Sequence, residues 1–350
     1  MLTMKDEAKR LWDICFNDDQ DFTDLYFRER YSDKVTIGIN KDDKMVSVMQ
    51  LLPYPMTFHG QSINTNYISG ACTDPDYRGK GYMNELIVKA MKRMKEQGVW
   101  LTTLIPASDS LFDFYGRTNF VTVFDYSEEE MSPNQLPVKQ EVHISPYSKG
   151  QADVYPYFSR KMRERNCCLQ HSPEDFRVIM KDIELYHDTL WVARLDGEVV
   201  GLAFCYEDDT KLLVKEVFAE FPFVEESLIG AATNKMNAEK ITVTSPPCKY
   251  TKNENMGMAR IVSAEPLIKI YAQSHPFLQT SFKVTDEWMK DNEGYYALSN
   301  GSVQKEVKGE APIVTIEQLT QALLGYHPEN LPEPLSKFEA CNPYMSLMLE

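Results

Sequence analysis

Apolar residues along this chain recur at two different spacings, and the clearest change between them lies within residues 67–105. Residues 67–73 and 99–105 are short apolar runs, which predict two strands. Between them the apolar residues recur at helical spacing, and they are Tyr82, Met83, Leu86, Ile87, Ala90, Met91 and Met94. The pattern therefore predicts a unit of strand, loop, helix and strand.

The loop of this unit has a composition that favours anions. After a turn at residues 74–76 it reads Arg78-Gly79-Lys80-Gly81. Glycine lets a backbone take unusual angles and approach a ligand, and the free amides at a helix start attract phosphate. A short loop of this kind is also common in ordinary turns, so the loop alone leaves both interpretations open. The flanking strand and the amphipathic helix favour a phosphate site.

The first part of the chain has further predictable elements. We expect helices at 4–16 and 21–31 and strands at 34–39 and 45–52, with a turn at 40–43 and prolines 53 and 55 ending the second strand. The acidic, proline-containing stretch 127–140 indicates a linker or a crossing segment.

A second region repeats this order. After predicted helices at 155–166 and 173–181, Asp196-Gly197 separates two apolar runs and predicts a hairpin. A strand, a helix and a strand are predicted at 211–218, 224–236 and 240–244. Between that strand and helix stands Ala219-Glu220-Phe221-Pro222, which has no glycine and no cation. We expect no phosphate site there.

The stretch T-x-P-x-Y-R-G-K-G-Y-M resembles the acetyl-CoA loop of the GNAT N-acetyltransferases. Their pattern Q/R-x-x-G-x-G/A is met by Arg78 and Gly81, and Met83 departs from its last position. The resemblance implies that the loop holds the CoA pyrophosphate and that the preceding strand pairs with the pantetheine arm. The cofactor-binding residues that it implies are Ala71, Cys72, Thr73, Arg78, Gly79, Lys80, Gly81, Tyr82, Met83, Asn84 and Ser108.

Residues 115–120 resemble the Y-x-R/K-x-G-F ending of many GNAT domains, with Asn119 where glycine is usual. The resemblance implies that Tyr115 protonates the thiolate leaving group. A phenol with a reference pKa of about 10 is a proton donor at neutral pH. From the residue alone, Tyr115 could equally be an ordinary core or surface tyrosine.

The order of the whole chain resembles the enhanced-intracellular-survival (Eis) type of GNAT protein. This implies an α+β fold with a mixed sheet: an active GNAT domain at 1–137, a degenerate GNAT-like domain at 138–252 and a sterol-carrier-like domain at 253–350. In that type the terminal carboxylate, here on Glu350, reaches the active site as the general base. An apolar tail packed for stability is the alternative. The members are often hexamers, so a homo-oligomer is expected.

The composition of the chain limits the classes of molecule that it is expected to bind. A net charge of −15 and a pI near 5.0 disfavour nucleic acid and anionic membranes and are compatible with cationic amines. The seven cysteines without framework spacing, the charged first residues and the lack of a long apolar run predict a cytoplasmic protein. The absence of H-E-x-x-H and G-x-S-x-G disfavours zinc and serine hydrolases.

The sequence thus predicts an acetyl-CoA-dependent N-acetyltransferase that acts on a primary amine of a small cationic molecule or of a lysine side chain. Two alternatives from other classes stay open. One is a lipid or ligand carrier built on the third region, and the other is a protein-lysine acetyltransferase or scaffold whose small-molecule activity is incidental. No metal is expected.

Overall fold

The computed structural model describes residues 3–133, 142–248, 252–306 and 310–349. The chain forms two compact units. The first consists of Met1–Phe124 and Asn255–Pro343, and the second of Asp125–Glu254 and Tyr344–Leu349. The N-terminal and C-terminal regions thus lie in one unit, and the division into three successive domains stays a prediction.

The helices and strands of the N-terminal region follow the predicted order. Its elements are α1 (Met4–Cys15), α2 (Gln20–Glu29), β1 (Thr36–Lys41), β2 (Lys44–Phe58), β3 (Gln61–Thr73), α3 (Tyr82–Glu96), β4 (Leu101–Leu104) and α4 (Asp109–Gly116). Strands β1, β2 and β3 are antiparallel neighbours, and β4 runs parallel to β3. Helix α3 lays its predicted apolar face on this sheet, where Leu86, Ile87, Ala90, Met91 and Met94 are buried. The prediction of strand, loop, helix and strand is confirmed.

Strand β2 continues past the prolines that were predicted to end it. It pairs with β3 through Pro53 and Pro55 as far as Phe58, while its pairing with β1 ends at Gln50. On the side of β1 the Leu51 amide still donates to the Val35 carbonyl at 2.7 Å, and Pro53 and Pro55 lie beyond this ladder, where proline is tolerated because no ladder hydrogen bond to β1 needs its missing N–H. The two prolines are exposed and alternate with buried Tyr54 and Met56.

The middle region forms the second unit. Its elements are β5 (Val121–Met131), which begins in the first unit, β6 (His143–Pro146), α5 (Val154–Arg163), α6 (Pro173–Leu185), β7 (Thr189–Leu195), β8 (Glu198–Asp208), β9 (Lys211–Ala219), α7 (Pro222–Met236) and β10 (Lys240–Ser245). Asp196 and Gly197 both have positive φ, at 51° and 89°, as the predicted tight hairpin requires. The strands follow the order β5-β10-β9-β8-β7-β6.

The first residues of 127–140, the stretch predicted as a linker or a crossing segment, form part of a strand. Ser127–Met131 belong to β5 and pair antiparallel with Ile241–Ser245 of β10. The three glutamates at 128–130 are exposed, so their negative charges stay in contact with solvent. Residues 134–140 lie outside the described part of the chain. The sequence did not reveal this strand because its pairing partner, β10, lies more than a hundred residues away.

The C-terminal region contributes a strand to the first unit. Its elements are β11 (Asn253–Ile261), α8 (Ala264–Ser274), β12 (Thr280–Thr285), β13 (Gly294–Ser299), β14 (Ser302–Glu306), β15 (Ile313–Thr315) and α9 (Ile316–Leu323). Residues Met258–Ile261 pair antiparallel with β4, and a separate sheet has the order β14-β13-β12-β15. Strand β11 therefore supports the strand that borders the site described below.

Several helices begin where the sequence provides a polar cap. The side-chain oxygens of these caps accept a hydrogen bond from a backbone amide in the first turn, which stabilises a helix by about 1 kcal/mol. They are Thr3, Asp19, Ser172 and Thr315. Among the described helices, none is long and apolar enough to cross a membrane.

The last described residues pack within the second unit. The Tyr344 amide donates to the Cys167 carbonyl at 3.2 Å, and the Leu169 amide donates to the Tyr344 carbonyl at 3.2 Å. The Ser346 hydroxyl donates to Glu216 at 2.6 Å. Met345 and Leu349 are buried, so the apolar tail is packed, as its composition indicated.

Candidate functional site

A cavity of about 670 Å³ lies at the end of β3, past the residues through which β3 pairs with β4. The two parallel strands pair only over Thr65–Tyr67 and Leu101–Thr103, so the rest of β3 lies beyond the ladder. The cavity is lined by the end of β3, the following loop, the start of α3, and α4. In sheets with parallel strands, the carboxyl ends of the strands are where ligands bind.

The cavity gathers most of the residues that the sequence singled out. Of the eleven predicted cofactor-binding residues, ten line it: Ala71, Cys72, Thr73, Arg78, Gly79, Gly81, Tyr82, Met83, Asn84 and Ser108. Tyr115 lines it too, and Lys80 is the exception. Residues separated by some forty positions in sequence are therefore brought to one cavity.

Strand β3 carries a bulge just before the cavity. Its register against β2 shifts between Val48 and Gln50, which pair with Cys72 and Ser69. Gly70 lies in this bulge with a φ of +57°. A Cβ on Gly70 would lie 2.3 Å from Gln50 Oε1 and 2.4 Å from a ring carbon of Trp12, so both the backbone angle and the space require glycine. A bulge redirects a strand, and here it precedes the segment that lines the cavity.

The sequence analysis missed Gly70. The signal was present, because a glycine inside an apolar strand pattern indicates a bulge or a close backbone approach.

The loop between β3 and α3 uses its two glycines in the left-handed region. Gly79 has a φ of +73° and Gly81 a φ of +84°. Nothing lies within 4 Å of a Cβ built on either residue, so the backbone angle alone calls for glycine. Gly81 is the N-cap of α3, and a helix start presents unpaired amides and a partial positive charge. The cavity includes this helix start, so the arrangement suits an anion.

The two cations of the loop are both exposed and both held by backbone carbonyls. Arg78 Nε donates to the Thr73 carbonyl at 3.1 Å. Lys80 Nζ donates to the Asp76 carbonyl at 2.8 Å and lies 4.9 Å from the centre of the Tyr77 ring. Arg78 lines the cavity, and Lys80 adds its charge beside it.

A buried carboxylate fixes the start of the loop. Asp74 accepts hydrogen bonds from Lys44 Nζ at 2.9 Å, Arg10 Nη1 at 3.3 Å and the Asp76 amide at 3.2 Å. The Lys44 hydrogen bond lowers the pKa of Asp74 below its usual value. Two cations thus neutralise the carboxylate next to the anion-binding loop. Arg10 and Lys44 lie far from the loop in sequence, and the sequence analysis did not find them.

Tyr115 is buried in the cavity wall. Its ring is 7% exposed and contacts Phe114 and Phe120 at centroid distances of 5.2 and 5.8 Å. Burial raises the pKa of Tyr115 to about 12, so the phenol keeps its proton at neutral pH. Asn119 takes the place of the usual glycine with a φ of 64°, because asparagine tolerates the left-handed region better than most residues.

The end of α1 completes the wall with residues that the sequence did not indicate. Cys15 and Phe16 line the cavity beside the end of β3. The Cys15 thiol donates a hydrogen bond to the Thr73 carbonyl at 3.4 Å. No local pattern distinguishes these two residues from other helix-end residues.

The corresponding loop of the second unit is built differently. Strands β9 and β10 are parallel, as β3 and β4 are, but α7 starts at Pro222 after Phe221, whose φ is −141°. Glu220 forms an ion pair with Arg160 at 2.5 Å, and this hydrogen bond lowers the pKa of Glu220. A carboxylate stands where the first unit has its glycine loop.

Glu350 lies outside the described residues, so its role as the base stays a prediction. Within the described part of the chain, no cluster of three or more histidine, cysteine, aspartate or glutamate side chains could hold a metal.

The end of β3, a glycine loop and a helix start surround this one cavity. Residues 3–123 match the family described as acetyltransferase (GNAT) domain. The chain thus carries a GNAT domain and is an N-acetyltransferase with acetyl-CoA as its cofactor.

Several solved structures resemble nearly the whole chain. A conserved protein of unknown function from Enterococcus faecalis aligns with a TM-score of 0.80 at 16% identity, covering 98% of this chain and 96% of that one. A GCN5-related N-acetyltransferase from Anabaena variabilis aligns at 0.80 and 15%, covering 97% and 96%. Eis1 from Mycobacterium abscessus aligns at 0.72 and 10%, covering 97% and 95%. These likenesses establish the fold.

Among curated proteins, no sequence is similar enough to count as a relative.

Proposed function

We propose that the first unit binds acetyl-CoA in the cavity between β3 and β4 and transfers the acetyl group directly to a primary amine. The acceptor is a small cationic molecule or a lysine side chain. The observation that carries this proposal is the convergence of ten predicted cofactor-binding residues on one cavity. Nine of the ten lie within residues 71–84, and Ser108, together with Tyr115, reaches the same cavity from more than twenty residues farther along the chain.

In this proposal the diphosphate of CoA binds the amides at the start of α3. Gly79 and Gly81 leave the backbone uncovered there, since no atom lies within 4 Å of a Cβ on either. Arg78 adds a full positive charge. The pantetheine arm extends along residues 71–73 of β3, whose backbone lies beyond the β3–β4 ladder and so has hydrogen-bonding groups to offer.

The thioester then lies toward Tyr115, and the amine attacks its carbonyl carbon. Backbone amides of residues 71–73 stabilise the oxyanion that forms. The C–S bond breaks, and the sulfur leaves as a thiolate. The raised pKa of Tyr115, about 12, supports a hydrogen bond from the phenol to this sulfur. Complete proton transfer to a thiolate, whose reference pKa is about 8.5, would be uphill by roughly three units. Glu350 remains the proposed base for the amine proton.

The finer sequence-based assignments are further proposals. The loop at 219–222, with Glu220 paired to Arg160, supports a GNAT-like second unit that does not bind CoA. The resemblance to the Eis type motivates a sterol-carrier-like C-terminal region, a homo-oligomer such as a hexamer, and a cytoplasmic location. Light scattering on the purified chain measures the assembly directly.

Two measurements test the proposed activity. Calorimetric titration with CoA should show saturable binding, and a panel of polyamines, aminoglycosides and lysine peptides should release CoA thiol from acetyl-CoA. The donor binds independently of the acceptor in this proposal, so binding without turnover would show that the right amine is missing from the panel. The absence of CoA binding at millimolar concentration would contradict the proposal.

A further inference from the structure

The bulge in β3 sets the direction of the strand segment that lines the cavity. The ladder with β2 is regular up to Ser69 and is regained at Cys72. The two residues between them, Gly70 and Ala71, form the bulge, and Ala71 is the first residue of β3 in the cavity wall. The direction of the backbone amides that follow therefore depends on how the bulge is held.

A buried tyrosine on α2 holds the residue just before the bulge. The Tyr26 hydroxyl donates a hydrogen bond to Ser69 Oγ at 2.7 Å. Tyr26 is 0% exposed, and burial raises its pKa to about 12, so the hydroxyl keeps the proton that it donates. The hydrogen bond therefore ties β3 to α2 at the last residue before the bulge.

A second hydroxyl holds the strand just after the bulge. Ser47 on β2 is 0% exposed. Its hydroxyl donates to the Cys72 carbonyl at 3.1 Å and lies 2.9 Å from Thr73 Oγ1. The bulge is thus held on one side from α2 and on the other side from β2.

The indole ring of Trp12 packs against the bulge itself. A Cβ on Gly70 would lie 2.4 Å from a carbon of this ring, so the ring and the Gly70 backbone are in contact. Trp12 Nε1 donates to the Asp18 carboxylate at 2.8 Å, and the Trp12 and Tyr26 ring centroids lie 4.4 Å apart. Tyr26 therefore supports both the strand and the ring that covers the bulge.

We propose that Tyr26 is a positioning residue for acetyl transfer, which acts through Ser69 to hold the bulge so that the backbone amides of residues 71–73 face the thioester carbonyl. The inference rests on the proposed function, in which those amides stabilise the oxyanion. Tyr26 is not one of the residues that line the cavity, so it acts through the strand. A displacement of about 1 Å in such a site can cost roughly a hundredfold in rate, which makes the support of the bulge important for turnover.

Tyr296 provides a matched control, because it makes the same kind of hydrogen bond in another sheet. It is 0% exposed, and its hydroxyl donates to the Asn292 carbonyl at 2.9 Å. Tyr26→Phe and Tyr296→Phe each remove one buried hydroxyl and keep the ring, so both should lower the urea midpoint of unfolding by a similar amount. An effect on the thioester should appear only in Tyr26→Phe.

The test observes the thioester carbonyl of acetyl-CoA bound to the full chain and needs no acceptor. Infrared difference spectra with acetyl-CoA that carries ¹³C at this carbonyl give its stretching frequency. Hydrogen bonds from the amides polarise the carbonyl and lower this frequency, so the wild type and Tyr296→Phe should show the same lowered value. Tyr26→Phe and Ser69→Ala should both shift it back toward the value in solution. The affinity for CoA should stay within about twofold in every variant, because the glycine loop is unchanged.

Kinetics with an amine acceptor extend the test. Tyr26→Phe and Ser69→Ala should each lower kcat by about tenfold or more, and Tyr296→Phe should not. The double variant of Tyr26→Phe and Ser69→Ala should lose no more than either single variant, since the two hydroxyls form one hydrogen bond and their effects are not additive.

A carbonyl frequency that is the same in the wild type, Tyr26→Phe and Ser69→Ala would overturn the positioning role, and so would an equal fall of kcat in Tyr296→Phe. If Tyr26→Phe does not fold, Ser69→Ala breaks the same hydrogen bond from the strand and decides the question. A folded wild type that binds no CoA at millimolar concentration would instead overturn the proposed function, and this inference with it.

Discussion

Arg78 donates its Nε proton to the carbonyl oxygen of Thr73 at 3.1 Å, and this contact joins the glycine loop to the end of β3. The two parts of the proposed cofactor site are thereby fixed to each other. Asp74 adds a second link, because Lys44 and Arg10 hold its carboxylate at the start of the loop. The proposed cofactor site therefore consists of a backbone loop with positively charged side chains around it.

Removing the charge of Arg78 should weaken CoA binding. Arg78→Gln is expected to raise the dissociation constant about tenfold, since a hydrogen bond to a charged group contributes about 1.5–3 kcal/mol. Lys92→Gln is the matched control, because Lys92 is an exposed cation farther along α3. The measurement is calorimetric titration with CoA at two salt concentrations. Equal effects of the two substitutions would show that only net charge matters.

The left-handed glycines allow a sharper comparison within one helix. Gly81 precedes α3 with a φ of +84°, and Gly98 follows it with a φ of +71°, and no atom lies within 4 Å of a Cβ on either. Gly81→Ala and Gly98→Ala should both lower the free energy of unfolding by about 1 kcal/mol, because both strain the backbone.

Only Gly81→Ala should also weaken CoA binding, since Gly81 lines the cavity at the helix start and Gly98 does not. Chemical denaturation and CoA titration on both variants check this pair of expectations. A loss of affinity in Gly98→Ala of the same size would remove the helix start from the proposed site.

Tyr115→Phe should lower kcat more than it weakens CoA binding. The substitution keeps the buried ring and removes the hydroxyl that is proposed to face the leaving sulfur. Losing one hydrogen bond made in the transition state costs about 1.5–3 kcal/mol when charge develops, or roughly tenfold to a hundredfold in rate. Tyr126→Phe is the control, as Tyr126 lies outside the cavity. An unchanged kcat in Tyr115→Phe would exclude the hydroxyl from the reaction.

The raised pKa of Tyr115 also predicts how kcat should depend on pH. Burial raises the pKa of Tyr115 to about 12, so the phenol keeps its proton below that pH and loses it only above. The wild type should show no fall in kcat from Tyr115 between about pH 8 and pH 10. A fall in that range that disappears in Tyr115→Phe would show that the phenol ionises more easily than its burial implies.

A buried ion pair in the first unit should be important for stability. Arg260 and Asp286 have side chains that are 0% exposed and lie 2.8 Å apart, and Arg260 belongs to β11, beside β4. Asp286→Ala leaves a buried guanidinium unpaired, which is expected to cost about 3–5 kcal/mol. Glu287→Ala is the control, because Glu287 is exposed, and it should change stability by less than about 0.5 kcal/mol. Chemical denaturation measures both, and a small loss in Asp286→Ala would contradict the expectation.

Local patterns predicted the parts of the fold that are determined locally. The helical spacing gave α3, Asp196-Gly197 gave the hairpin between β7 and β8, and the two loop glycines gave the helix start. Each depends on residues close together in sequence, so its physical cause is visible in a short segment.

What the sequence did not reveal depends on distant partners. Strand β11 lies beside β4 although some 150 residues separate them. Strand β5 pairs with β10 through the same acidic residues that indicated a linker. Asp74 meets Arg10 and Lys44 only after folding. Pairing, ion pairs and cavity walls of this kind have no short sequence signature.

A solved structure of the chain with CoA would examine the cofactor site itself. We expect the diphosphate against the amides of residues 79–84 beside Arg78, and the pantetheine arm along residues 71–73, ending near Tyr115. CoA bound outside the cavity between β3 and β4, or absent at millimolar concentration, would contradict this assignment.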